Sequence, residues 1–98
     1  MNDPGITMYQ GAVERQHCCT ARFVRAERIH EQDNGVLLWC GIVYVFDVDH
    51  PQASRAYAWS FEIDFATKRR RVITVLGVPP VTCARDAVRS AFASGQQQ

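Results

Sequence analysis

Residues 36–48 form a run, VLLWCGIVYVFDV, in which both alternating sets of positions are apolar. A strand with one face in water alternates apolar and polar residues, whereas this run needs cover on both faces. The run is too short to cross a bilayer as a helix, and its β-branched and aromatic residues favour a strand. We therefore predict a central strand, bent at Gly41, that is covered twice.

The segment before this run is predicted to pair with it. Asn34-Gly35 directly precedes the run, and this dipeptide accepts the positive φ angles of a two-residue hairpin turn. Residues 20–31 would then form the antiparallel partner strand. A helix over residues 20–31 is the alternative, because Ala, Arg and Glu are good helix formers.

Residues 55–65 show the cleanest alternation in the chain. Tyr57, Trp59, Phe61, Ile63 and Phe65 share one face, and Ala56, Ala58, Ser60, Glu62 and Asp64 share the other. This pattern predicts a strand with one dry aromatic face and one face of small or solvated residues.

The C-terminal third predicts one more strand and a helix. Residues 71–78 form the strand, which ends at Gly77 and the two prolines that follow. Residues 83–94 repeat apolar side chains at helical spacing, with Thr82 as the N-cap and Gly95 as the stop. At the other end of the chain, residues 6–16 are predicted to be a short strand or an arm.

Together these elements predict one α+β domain over residues 1–98, with residues 1–5 and 95–98 flexible. Its architecture is an antiparallel meander of about four strands with one C-terminal amphipathic helix packed on one face. Such a sheet spans on the order of 500 Å² per face, and one short helix covers less than half of one face. Sheet curl, the N-terminal segment or another chain must hide the rest, so we expect a homodimer or a binding module.

Composition narrows the function only slightly. The formal net charge is +1, which gives no general attraction to nucleic acid or to a membrane. Ten of the eleven basic residues are Arg, a bias typical of GC-rich coding regions and thus of a bacterial or phage origin. No pattern of a signal peptide opens the chain, so we expect a cytoplasmic protein with no membrane partner.

The four cysteines are expected to be reduced thiols. Cys40 and Cys83 occupy positions where small apolar residues pack in a core. The pair Cys18-Cys19 follows His17, a combination that could bind a thiophilic metal or be redox active. Its spacing is unlike that of zinc sites, and neither alternative is decided by the sequence.

A basic turn, residues 68–71, is the main candidate for a contact with another macromolecule. It contains Lys68, Arg69, Arg70 and Arg71, with Arg55, Arg85 and Arg89 as candidate neighbours. Clustered guanidinium groups pair with phosphates, which makes binding of a nucleic-acid backbone one alternative. An arginine-rich turn is also an ordinary solvated tip that discourages sheet aggregation. We add Trp39 to the candidate contact residues.

Carboxylates near a hairpin offer the one catalytic alternative. Asp47, Asp49 and His50 could hold Mg²⁺ or Mn²⁺ for phosphoryl transfer, with Glu62 and Asp64 on a neighbouring strand. The chain has no phosphate-binding glycine loop, nucleophile elbow or zinc-protease motif, and no cofactor is expected. The sequence thus favours a small non-enzymatic binding or accessory protein, of the inhibitor or regulator type, acting through protein contact.

Overall fold

The computed structural model describes residues 4–64 and 66–93 as six elements in one α+β fold. They are helix α1 (Pro4–His17), strands β1 (Ala21–Asp33), β2 (Val36–His50), β3 (Ala53–Asp64) and β4 (Arg69–Leu76), and helix α2 (Ala84–Ala93). The four strands form one antiparallel sheet in the order β1-β2-β3-β4. The predicted meander with a C-terminal helix is therefore confirmed.

The first hairpin forms as its turn residues require. Asp33 pairs with Val36, so Asn34 and Gly35 alone make the turn, with φ angles of 52° and 80°. These left-handed values suit a turn whose twist matches that of the flanking strands. Residues 21–33 are consequently a strand, and the helical alternative for this segment is wrong.

The sheet carries one helix on each face. On one face α2 packs Ala84, Ala87, Val88 and Ala91 against a core that includes Val43, Val45, Tyr57, Trp59 and Ile73. On the other face α1 packs Tyr9 and Val13 against a core that includes Ala21, Phe46, Ala56 and Ala58. Alternate residues of β2 from Val43 to Val48 enter the two cores, so this part of the two-sided run is covered on both faces, as its pattern predicts. Nearer the hairpin tip the prediction is wrong, because Val36, Leu37 and Cys40 are exposed.

Helix α1 overturns the expectation of an N-terminal strand or arm. Pro4 is its first residue, a position where proline lacks no needed hydrogen bond. Ile6, Tyr9 and Val13 recur at helical spacing and bring the apolar side onto the sheet. Gly11 inside the helix makes this pattern look interrupted in the sequence. The segment is a helix because its packing against the sheet outweighs that weak propensity.

Side chains of α1 also fix the helix to the sheet. The amide of Gln10 donates to the carbonyl oxygen of Ala21 at 2.7 Å, and the N–H of Ala21 donates to the carboxylate of Glu14 at 2.9 Å. Both backbone polar groups of the first residue of β1 are thus satisfied by the helix. The hydroxyl of Tyr9 bonds that of Ser60 on β3 at 2.6 Å.

Of the two alternatives predicted for the second face of β3, small or solvated, the described residues Ala56 and Ala58 show the first. Ala56 and Ala58 are both 0% exposed, because α1 covers them. Their short side chains leave room for a helix to approach the sheet closely. The aromatic face is confirmed for Tyr57, Trp59 and Phe61, which belong to the core under α2.

Helix α2 begins two residues later than Thr82, the predicted N-cap. The carbonyl of Cys83 accepts the first helical hydrogen bond from Ala87, and the carboxylate of Asp86 accepts bonds from the N–H and the hydroxyl of Thr82. These bonds, the backbone one first, hold the pKa of Asp86 below its usual value. Asp86 thus reaches back from the first turn, as in a capping box.

The expectation that Cys40 and Cys83 pack in the core is wrong, because both residues are exposed. All four thiols are free. Cys83 immediately precedes α2, while Cys40 lies on a part of β2 that α1 does not cover. The expectations for residues 1–3, for Phe65 and for residues 95–98 fall outside the described residues. Within the described part, no helix is both long and apolar enough to span a membrane.

Candidate functional site

Strands β2 and β3 pair along only part of their length. Their pairing runs from His50 with Ala53 to Tyr44 with Ala58 and stops there. Beyond that point residues 36–43 pair with β1, and residues 59–64 pair with β4. The sheet is therefore split at one end into two diverging hairpins, and we call this region the open end.

The pairing within the first hairpin is irregular. The register of β1 with β2 shifts twice, leaving Val24 and Leu38 as extra residues. Each such bulge bends its strand and increases the local right-handed twist. Leu38 lies at the open end, whereas Val24 lies beside Val45 and Phe46, where β2 still pairs with β3.

Aromatic side chains bridge the split on both sides of the sheet. On the α1 side the ring of Tyr9 stacks on Tyr44 of β2, with centroids 4.6 Å apart, while its hydroxyl reaches Ser60 of β3. On the α2 side Trp39 of β2 lies against Trp59 of β3, with centroids 6.1 Å apart and the ring planes tilted by 51°. These contacts hold the two hairpins at a fixed divergence.

Gly41 gives Trp39 the space for this position. A Cβ atom at residue 41 would lie 2.7 Å from Cζ2 of the Trp39 indole, closer than van der Waals contact allows. The glycine in the middle of β2 therefore has a packing reason, close approach of a ring.

A groove of about 500 Å³ follows the split. Its walls include Tyr9, Trp39, Cys40, Tyr44, Phe61 and Arg70. Two of the residues predicted to contact a macromolecule, Trp39 and Arg70, thus line one groove although they are distant in the sequence. The sequence did not indicate that Tyr9, Cys40 and Phe61 would join them, because the split depends on strand pairing.

The two hairpin tips stand on either side of the open end and differ in chemistry. The β1–β2 tip exposes Val36 and Leu37, whose exposed fractions are 63% and 49%. In the second hairpin Lys68 lies in the turn, at a φ of 59°, whereas Arg69 and Arg70, predicted to lie in the turn, already belong to β4 with Arg71. All four residues are exposed, and we keep the name basic turn for residues 68–71. Because both turns join strands that run toward the split, the meander brings an apolar tip and a basic tip to the same end.

The other arginines proposed as neighbours of the basic turn are engaged elsewhere. Arg55 donates to Asp47 at 2.7 Å, at the paired end of β2 and β3. Arg89 and Arg85 of α2 form ion pairs with Glu31, the latter at 3.4 Å. The basic residues at the open end are therefore residues 68–71, of which Arg69 and Arg70 stand opposite Asp64 and Glu62 in the register of β3 with β4.

Among the described residues, Glu31 is a buried charged group that the sequence analysis also missed. Its residue is 2% exposed, and Arg89 and Arg85 neutralise its carboxylate, which ties α2 to β1. Glu31 follows Ile29 by two residues and so shares the buried face of β1, which is the signal that could have revealed it. These ion pairs give Glu31 a structural role, which is to hold α2 against β1.

The candidate metal ligands Asp47 and His50 lie at the paired end of β2 and β3, away from the open end. Asp47 forms ion pairs with Arg55 at 2.7 Å and Arg22 at 3.8 Å, and Nδ1 of His50 accepts the N–H of Gln52. In residues 4–64 and 66–93, no three His, Cys, Asp or Glu side chains gather where they could hold a metal. The side chains of Glu62 and Asp64 fall outside the description.

The last residue of α1, His17, and the cysteines that follow it are the next candidate group. Nε2 of His17 lies 2.8 Å from the hydroxyl of Thr74, and burial, with a smaller contribution from His50, lowers the pKa of His17. Burial raises the pKa of the Cys19 thiol, with Glu14 adding to the effect. A raised thiol pKa opposes the thiolate form that metal binding and redox chemistry use.

Comparison of this chain with protein-family models, curated proteins and solved structures finds no match. The assignment of a function accordingly rests on the geometry of the open end.

Proposed function

We propose that this chain is a small non-enzymatic binding protein, of the inhibitor or accessory-regulator type, that contacts a partner protein through the open end. The observation that carries the proposal is the split between β2 and β3, which places an aromatic groove between an apolar tip and a basic tip. Such a combination of apolar surface rimmed by charge is typical of protein contact sites.

The proposal favours a different partner over a second copy. The prediction of a homodimer depended on a sheet face that nothing covers, and α1 covers that face. A symmetric pair joined through the open ends would also bring two copies of the basic turn close together. Because like charges in an interface repel, a partner with acidic groups fits this surface better.

Nucleic acid is the second candidate, and one observation favours it. Arg70 and the rings of Trp39 and Phe61 line the same groove beside the basic turn, and bases stack on such rings in single-strand-binding proteins. However, Trp39 and Tyr44 already pack against Trp59 and Tyr9.

Phosphoryl transfer has no comparable support, because Asp47 forms ion pairs with two arginines. A cytoplasmic location and a bacterial or phage origin remain part of the proposal.

The experiment begins with the mass in solution, measured by sedimentation across a salt series with and without single-stranded and duplex DNA. We expect a monomer that binds neither nucleic acid. A salt-insensitive dimer would show that the contact surface binds a second copy of the chain. A salt-dependent complex with DNA would show that the partner is nucleic acid and not protein.

Affinity capture from a cell extract then tests the surface with matched variants. Changing Arg69, Arg70 and Arg71 together to Gln should release the captured protein, which must also bind when purified. The control changes three arginines of β1, Arg22, Arg25 and Arg28, to Gln and removes the same charge from residues that do not line the groove. Equal loss in both triple variants would contradict the proposal.

A further inference from the structure

Extending the proposed function, on which this inference rests, we propose that the partner inserts an extended acidic segment that pairs as an added strand with the inner edge of β2. The inner edge is the side of residues 36–43 that faces the split, opposite the side that pairs with β1.

The backbone of β2 supplies the first argument. Successive residues of a strand direct their N–H and C=O groups to opposite sides, so on either side of the bulge at Leu38 every second residue directs both groups into the split. Residues 36–43 extend over about 26 Å at about 3.3 Å per residue, and β3 gives them no ladder. Peptide recognition by strand addition uses such an edge, with backbone hydrogen bonds for affinity and alternate side chains for specificity.

The groove favours this edge over the outer edges of the sheet. Both edges contain one bulge, at Val24 in β1 and at Leu38 in β2, but the outer edge of β1 also carries the exposed residues Arg25 and Arg28. Charged side chains on an edge discourage strand addition. The inner edge of β2 instead has aromatic walls, and its volume of about 500 Å³ suits a bound ligand.

Charge supplies the third argument and specifies the occupant. Arg70 lines the groove, and the exposed residues Lys68, Arg69 and Arg71 are its neighbours in the chain at the start of β4. A carboxylate on the added segment could form a bidentate pair with a guanidinium group there. Alternate side chains of the same segment would contact the aromatic walls on the two sides of the sheet. We therefore expect apolar residues in alternation, with Asp or Glu near the basic turn.

The test uses a displayed library of short random linear peptides, selected against the whole chain. The enriched peptides are then synthesised with N-methyl groups on every second backbone nitrogen, in two versions that differ in parity. N-methylation removes a donor, and each lost hydrogen bond should weaken binding about fivefold. We expect a strong loss for one parity only, measured by fluorescence anisotropy of labelled peptide. Changing Arg69, Arg70 and Arg71 to Gln should also weaken binding, while the β1 triple variant should not.

Hydrogen exchange of the complex provides the second readout. Strand addition predicts that alternate amides within residues 36–43 become protected when the peptide binds. Binding without dependence on parity, or with protection elsewhere, overturns strand addition and leaves the contact surface intact. If no peptide is enriched although the captured protein needs the basic turn, strand addition is overturned alone. If single-stranded DNA displaces the peptides and protects the groove, both proposals fail.

Discussion

Docking of α1 decides whether the second face of the sheet is available to a partner, and Val13→Ala tests it. Val13 is 0% exposed and packs in the core formed with Phe46, Ala56 and Ala58. The substitution removes two methyl-sized groups, worth about 1.6 kcal/mol of transfer free energy, and leaves a cavity that adds to the cost. The higher helix propensity of Ala returns about 0.5 kcal/mol.

The free energy of unfolding should therefore fall by about 2 kcal/mol. For a domain of this size that loss lowers the midpoint of thermal unfolding by about 8–16 °C. Urea titration followed by far-UV circular dichroism measures the effect, with the slope of the transition checked for constancy. Met8→Ala is the control, because Met8 lies on the same helix with 48% of its surface exposed, and its substitution should be nearly neutral.

Equal stability of the two variants would refute the docking of α1. The sheet face under Ala56 and Ala58 would then be open, and the case for a homodimer through that face would return. A loss confined to Val13→Ala would instead support a sheet closed on both sides, with the open end as the remaining contact surface.

Three further outcomes follow from single contacts. Glu31→Gln should lower the free energy of unfolding by about 1–2 kcal/mol in urea titration, because a buried carboxylate loses its charged bonds to two arginines that are themselves over half exposed. Gly41→Ala should displace the Trp39 indole, changing the near-UV circular dichroism and raising acrylamide quenching at a small cost in stability. Because burial lowers the pKa of His17 below its ordinary 6.5, the unfolded chain binds protons more readily, and His17 should make stability fall as the pH drops below about 6.5. His17→Gln should flatten that part of the profile.

Each outcome has a matched control. Glu27→Gln breaks an ion pair with Arg25 on the surface and should cost little, so equal losses at residues 27 and 31 would contradict the role of burial. Cys40→Ala alters an exposed neighbour of Gly41 and should leave the tryptophan signals in place. His30→Gln changes an exposed histidine, and an acid profile that follows residue 30 rather than residue 17 would refute the assignment.

Part of the candidate site was visible in the sequence. Trp39 and Arg70 were predicted contact residues on chemical grounds, and they line the same groove. The groove itself could not be predicted, because it arises where β2 and β3 stop pairing. The point where that pairing ends is decided between strands and not by the pattern of either strand alone. Glu31 was missed for a related reason, since its arginine partners come from α2, 58 residues away in the case of Arg89.

The sequence by itself determined the meander, because alternation and turn chemistry act over a few residues. Asn34-Gly35 specifies a tight turn, and the two-sided run of β2 requires cover on both faces. Only the tertiary structure decided what provides that cover. Helix α1 has a weak pattern of its own and forms by packing on the small residues of β3. The exposure of Cys40 and the split beside it were likewise decided by strand pairing, since twist and register are properties of the whole sheet.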